Sequence, residues 1–364
     1  MDPIVDLVAL VIAAFAGGVL GAALGALPAF SFMGLAIMAG EAVRIAAINL
    51  GDVELPGYTF EIAFGAFFGP HITFAAGAAA TAYAAKRGYM GAGFGGNWAL
   101  HKGKNILIAF GGKHLDVLLL GGAFGILGFA VFYVSDLLAL PWDPIAFGVV
   151  VSALAHRLVL RYPVVGEVRA RHLLDVSPFE RGDTRETDGE GGKPADRLDV
   201  EPWLPWFYKW GNVAVISLAF GALAGLTFYW TGSMFLAFGF SAGTLIFLTL
   251  GFTEDFRIPQ VPVPVTHHVT LPASTAVAAY GGFNDAPQIS AVQGEVLLLE
   301  AVLIGALFGL IGGLLGELVQ RVLFMHGDTH WDPPATSIVL TTLLIAVLHL
   351  IGLFPSAGFV PVPT

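Results

Sequence analysis

The sequence predicts an all-α polytopic membrane protein of about ten transmembrane helices, built as two inverted five-helix repeats with an interrupted helix at the third position of each. Three observations predict it. First, the 364 residues are 56% hydrophobic and only 12% charged, with a mean hydropathy of +0.77, more apolar surface than a soluble globule buries. Second, His71-Ile-Thr73-Phe-Ala-Ala76-Gly-Ala-Ala79-Ala-Thr-Ala82-Tyr83 recurs as His268-Val-Thr270-Leu-Pro-Ala273-Ser-Thr-Ala276-Val-Ala-Ala279-Tyr280, with six of thirteen positions identical. Third, sixteen of the seventeen Lys and Arg fall in segments that share one side if ten helices alternate, and Arg44 alone departs. Five spans per repeat is an odd number, so the second copy enters the membrane upside down.

The elements follow in order. A first span over 4–27 starts after Met1-Asp2-Pro3, acidic where a signal peptide is basic, and is read as a retained helix. A second, 29–50, carries Glu41 and Arg44. The third, 68–86, starts behind the helix breaker Gly69-Pro70 and holds the duplicated His-x-Thr. A glycine-rich connector, 88–113, flanks Ile106–Phe110 with Lys102, Lys104 and Lys113, a pattern for a gate or a lipid-contacting loop. The fourth span, 114–135, opens near Asp116, and Gly121-x-x-x-Gly125 lets a neighbour approach closely. The fifth, 144–161, follows Trp142-Asp143-Pro144, read as interfacial tryptophan, N-cap and first-turn proline.

Residues 175–201 then hold nine Asp or Glu against four Lys or Arg, a solvated acidic linker that contributes much of the net charge of −10. An acidic balance of this kind fits a halophilic archaeon. The second copy repeats the plan over 206–229, 232–252, 267–282, 296–324 and 335–355, with Pro262-Val-Pro264 before its His-x-Thr. Gly221, Ala242, Gly243, Gly305, Phe308, Gly309 and Gly312 match Gly18, Ala39, Gly40, Gly121, Phe124, Gly125 and Gly128, and Trp331-Asp332-Pro333 matches Trp142-Asp143-Pro144. The organisation expected is a first membrane repeat (1–162), an acidic cytoplasmic linker (163–205) and a second, inverted repeat (206–364), in a cell membrane with both termini outside.

Candidate chemistry sits at the duplicated helix starts. Thr73 and Thr270 fall in first turns, where free amides and the positive dipole end favour an anion or a polar oxygen. His71 and His268, with His267 beside the latter, add groups that can carry protons. Gly69-Pro-His71-Ile-Thr73-Phe-Ala-Ala76 resembles the His-Ile-Asn-Pro-Ala re-entrant signature of aquaporins, but Thr73 and Phe74 replace its Asn and Pro, and no water-channel role is carried over. Glu41 and Arg44, three apart, pair on one helix face. Asp116 and Glu300 align between the copies as helix-start carboxylates, for capping or for a cation or proton.

Other chemistries are unsupported. There is no cysteine, so thiol catalysis and cysteine-ligated metals are excluded. Gly239-Phe-Ser241-Ala-Gly243 fits a nucleophile elbow in letters only, because it lies inside an apolar helix. Gly91-Ala-Gly93-Phe-Gly95-Gly96 has no surrounding βαβ pattern. No His-Glu-x-x-His occurs, and basic surface for nucleic acid is lacking. The expectation is a non-enzymatic transporter or channel, without cofactor, that moves a small polar or anionic solute between the repeats, with the bilayer as its setting and homo-oligomerisation compatible with its glycine-rich surface. The alternative is an accessory membrane subunit that binds a partner protein.

Overall fold

The structure, a computed structural model, describes residues 3–51, 57–90, 100–107, 114–185, 197–251 and 263–363. The Gly91–Gly96 run, Lys113, Arg257, Pro262 and residues 186–196 of the linker lie outside them, as do Asp52 and Glu54. Among the described residues the fold is all-helical: α1 (Pro3–Leu24), α2 (Ala26–Leu50), α3 (Thr73–Lys86), α4 (Leu115–Leu137), α5 (Pro144–Val159), the short α6 (Ser177–Arg181), α7 (Trp210–Thr231), α8 (Leu236–Gly243), α9 (Ile246–Gly251), α10 (His267–Tyr280), α11 (Ile289–Glu295), α12 (Leu298–Val319) and α13 (Pro333–Leu350).

Among the described residues, six segments are long and apolar enough to cross a membrane: Ile4–Leu24, Ala26–Leu50, Leu115–Leu137, Trp210–Thr231, Leu298–Phe324 and Pro333–Leu350. Their outer faces suit lipid. Ile4, Val8 and Ile12 on α1, and Leu299, Leu303 and Leu307 on α12, recur every four residues and are each more than half exposed. The other four expected spans are shorter. α3 and α10 have fourteen residues each, about 21 Å of helix against a hydrocarbon core of about 30 Å. The expected seventh span is broken into α8 and α9 around Thr244 and Leu245.

Glycine places the helices. A Cβ on Gly18 would fall 2.2 Å from the Gly121 carbonyl oxygen and 2.9 Å from Gly125 Cα, so α1 and α4 touch backbone to backbone. The same crossing recurs between α7 and α12, where a Cβ on Gly221 would meet the Gly305 carbonyl oxygen at 2.3 Å and Gly309 Cα at 2.8 Å. Against each pair lies a short buried helix: α3 has eleven of its fourteen residues buried and α10 thirteen of fourteen. Their alanine-rich faces leave room for that close packing.

Two helix pairs join the halves of the chain. Gly34 of α2 packs on Gly243 at the end of α8, Ile37 on Gly239, and buried Glu41 accepts a hydrogen bond from Ser233 just before α8. These contacts descend one helix while ascending the other, so α2 and α8 run antiparallel. Asp143 at the start of α5 donates its backbone N–H to Thr342 Oγ1 of α13 at 3.0 Å, and Ala153 near the end of α5 packs with Trp331 just before α13. That pair is antiparallel too. The described part of the acidic linker is mixed: Glu167, Arg171, Glu180 and Arg181 are exposed, whereas Val200, Glu201, Trp203 and Leu204 are buried against the helix ends.

Candidate functional site

Between the halves lies a cavity of about 610 Å³. Its walls draw on equivalent positions of the two copies: Pro70 and Phe74 at the start of α3 answer His267 and Leu271 at the start of α10, and Asp143, Ala146 and Val149 of α5 answer Asp332, Ala335 and Ile338 of α13. Phe30, Phe60, Phe64, Phe235 and Phe238 close the sides. At one end the lining reaches exposed Asp136, Asn284 and Asp285. The carboxylates are held by the local structure the sequence encodes. Asp143 accepts the Ile145 and Ala146 amides through Oδ1 at 2.8 and 3.1 Å, and Asp332 accepts the Ala335 amide through Oδ2 at 2.8 Å. Each therefore caps its helix, while Pro144 and Pro333 occupy the first turn, where the missing N–H costs nothing. Thr342 lies ten residues along α13 from Asp332, which puts the two carboxylates about 15 Å apart along the helix axis.

His267 sits in the wall with its ring 4.7 Å from that of Phe30 and 5.9 Å from that of Phe238. It is 5% exposed, and its Nδ1 has no hydrogen-bond partner. Beyond Asp332, His330 forms the next layer. Its Nε2 lies 3.4 Å from Asp332 Oδ1, and its ring contacts Phe74, Trp203 and Phe324.

Past His330 the cavity gives way to a buried charged layer. Lys104 Nζ lies 2.5 Å from Glu201 Oε2, both fully buried, and Arg197 bridges Glu201 and Asp328, the latter at 2.7 Å. Arg157 donates to the Thr329 hydroxyl and carbonyl at 3.0 and 2.8 Å and lies over the Trp331 ring. His156 Nε2 meets the same hydroxyl at 2.9 Å. Burial brings Lys104 down to about 8 despite the opposing pull of Glu201. For Glu201 burial acts upward, but Lys104 and Arg197 outweigh it and hold the carboxyl below its usual range. Burial, helped by the Arg197 charge, lowers His101 to about 4.

The duplicated histidines and threonines lie on the adjoining faces of α3 and α10 and are not in the cavity lining. His71 is buried with its ring 4.8 Å from that of Phe132, while the His268 ring packs over Gly316, at the position equivalent to Phe132. Their carbonyls repeat a further detail. Ala75 donates to Pro70 O rather than to His71 O, and Pro272 has no N–H to offer His268 O. Gly128 and Gly312 stand against those two carbonyls, where a Cβ would be 1.6 and 2.4 Å away. The Thr73 hydroxyl donates to Phe68 O and Gly69 O, and that of Thr270 to His267 O. Glu41 is saturated by Arg44 (3.0 and 2.6 Å), Thr59 (2.8 Å) and Ser233. Asp116 accepts from Tyr83 and Tyr89 at 2.9 and 3.0 Å. Glu300 accepts from Tyr280 at 2.9 Å and caps the Leu297 amide, also at 2.9 Å.

Sequence reasoning assigned the Trp-Asp-Pro pair to interfacial anchoring, yet both aspartates line the cavity and Trp331 is buried. The available signal was that the motif is duplicated and carries a carboxylate. Among the described residues no group of three His, Asp or Glu is arranged to hold a metal ion.

Among the described residues, six long apolar helices, with two short buried ones packed on them, mark the class as a multi-pass membrane protein. Within that class, the chain belongs to a family of unknown function (DUF7973), which it matches over residues 2–363. No curated protein and no solved structure matches it.

Proposed function

We propose that this protein is a membrane transporter or channel of two inverted five-helix repeats, with its solute site in the cavity between them. The observation that carries the reading is the pairing of equivalents across one axis. Asp143 meets Thr342, their equivalents Asp332 and Ala153 line one small void together, and five pairs of equivalent positions line one cavity. Contacts in which i meets j while the equivalent of j meets the equivalent of i are the mark of a two-fold relation. Antiparallel pairing of α2 with α8 and of α5 with α13 supports an axis in the membrane plane, the arrangement of inverted-repeat transporters. On this reading α3 and α10 are half-helices whose N-terminal ends converge on the site.

The distribution of charge supports one orientation. Asp136, Asn284 and Asp285 at the exposed mouth fall outside by the positive-inside rule, and Lys104, Arg157 and Arg197 in the sealing layer fall inside. Open at one end and closed by ion pairs at the other, the molecule corresponds to one end state of an alternating cycle. The test is flux into proteoliposomes with a panel of organic cations, halides, formate, urea, Na⁺ and K⁺. Selective flux that falls in a folded Asp143→Asn/Asp332→Asn variant is expected, since asparagine keeps the capping oxygen and removes the charge. No flux from folded protein across the panel and a pH gradient, with co-purification of a stoichiometric partner, would overturn it in favour of the accessory-subunit reading.

A further inference from the structure

We infer that the cavity takes an organic cation with an apolar body, held by aromatic faces and the Asp332 carboxylate, an inference about substrate class that rests on the cavity being the solute site. The charges that face it have one sign. Asp136, Asp143, Asp285 and Asp332 lie in the lining, and among the described residues no Lys or Arg does. An anion entering there meets carboxylates without a compensating cation, a costly arrangement in a low-dielectric setting.

The walls supply a second, independent preference. Phenylalanine rings present negative faces, and a cation within about 6 Å of a ring centroid is attracted to them, more strongly when desolvated. Two of the lining rings already act in this way. Arg44 lies 5.7 Å from the Phe60 centroid and 5.8 Å from that of Phe235, its charge answered by Glu41. Rings of Phe30, Phe74 and Phe238 have no such cation among the described residues. His267 adds a polar atom that lacks a partner, Nδ1, on a side chain nine-tenths buried between Phe30 and Phe238. An apolar chamber also disfavours a bare inorganic cation, which needs a shell of oxygens that phenylalanine does not provide.

The two carboxylates differ in what surrounds them. Asp143 spends Oδ1 on both of its amide bonds and opens toward the mouth, whereas Asp332 lies at the inner end beside His330 and the Phe74 ring. Asp332, whose Oδ2 takes the Ala335 amide and whose Oδ1 faces His330 Nε2 at 3.4 Å, acts through its charge at that inner end and is the holding carboxylate, with Asp143 the one met on entry.

The experiment is equilibrium binding to the full chain in nanodiscs, with protein-free discs subtracted, using tetraphenylphosphonium against its isosteric anion tetraphenylborate, and benzyltrimethylammonium as a smaller cation. Saturable binding of both cations is expected, with at least about tenfold preference over the anion. Asp332→Asn should weaken cation binding about tenfold and Asp143→Asn less, with unchanged thermal midpoints, and Phe238→Leu should weaken it without altering the charge preference. Equal or tighter binding of the anion, cation binding indifferent to Asp332→Asn, or no cation binding by folded protein would each overturn the inference. Flux of an anion or neutral solute without cation binding sinks the substrate class and leaves transport standing. Charge-selective cation binding without flux does the reverse.

Discussion

Replacing Glu201 by glutamine should open the charged layer that closes one end of the cavity. In the native protein this carboxylate, with no solvent exposure, faces Lys104 at 2.5 Å, accepts from Arg197 and receives the His101 amide at 3.3 Å. Removing one member of a buried pair costs about 3–5 kcal/mol, because the other charge remains desolvated. The lower figure is expected. Lys104 keeps the Met325 carbonyl at 3.4 Å and the Phe324 ring face, Arg197 keeps Asp328, and a lysine already brought to about 8 by burial can discharge its proton. That escape gives the prediction a pH signature. Once the carboxylate is gone the folded lysine is neutral near pH 7 while the unfolded one still binds a proton, so stability rises with pH at about 1.4 kcal/mol per unit. The wild type begins that rise only above about 8, so moving from pH 7 to 8 recovers roughly 1 kcal/mol of the penalty. Lys104→Met alone should cost about 1–2 kcal/mol, since Glu201 retains Arg197, and the double variant should cost far less than the sum, with a coupling energy of about 2 kcal/mol. Denaturant unfolding in detergent, followed by tryptophan fluorescence at pH 7 and 8, measures all three. Additive single variants, or a Glu201→Gln penalty under about 1 kcal/mol, would refute the reasoning.

Gly18→Ala and Gly221→Ala each drive a Cβ into a facing carbonyl and should cost about 1–3 kcal/mol each, whereas Gly211→Ala, with open space around its Cβ, should be neutral or stabilise the first turn of α7 by up to about 1 kcal/mol; thermal unfolding ranks the three. His101 is held neutral to about 4 by burial, and its Nδ1 accepts the Gly103 amide at 3.0 Å. The unfolded chain therefore binds the extra proton between about 6.5 and 4, and stability falls as pH drops through that window; His101→Asn, which keeps an acceptor, should flatten that part of the midpoint-versus-pH curve, and an unchanged curve would count against it. Because the chain has no cysteine, single cysteines report topology directly. An impermeant thiol reagent should label Asn284→Cys on intact cells and Arg181→Cys only after permeabilisation, and the opposite pattern would invert the proposed orientation.

Much of the scaffold was legible because the letters that build it act locally. Asp143 and Asp332 cap helices as their Pro-linked motifs predict, and Gly239-Phe-Ser241-Ala-Gly243 is helical, with Ser241 bonded to Thr266 at 2.7 Å. The glycines that recur between copies mark the crossings because only a missing Cβ allows two backbones to touch. Charge density reads as solvation, which suits exposed Glu180 and Arg181 but not buried Glu201 at the linker's end. Glu201 is buried between Arg197, four positions away, and Lys104, ninety-seven positions earlier in the chain, and nothing near Lys104 announces that distant pairing. Trp331 misled in a similar way. An indole beside a helix start fits a headgroup region, but here Arg157 and Thr336 supply its ring and N–H contacts inside the protein.

The duplicated His-x-Thr marks helix ends that adjoin the cavity, on faces beside its lining. Residues 71 and 268 share a backbone feature, a carbonyl without a helical donor set against Gly128 or Gly312; nothing in that feature requires histidine. The cavity is reached instead from positions 70 and 74 of one copy and 267 and 271 of the other, where the pairs have diverged to Pro and His, and to Phe and Leu. These differences make the ends unequal: one carries an imidazole whose Nδ1 has no partner, beside Asp332, and the other lies past Asp143 toward the acidic mouth. Asp143 and Asp332, by contrast, agree between the copies, so the two ends of the chamber share a carboxylate and differ in what stands beside it.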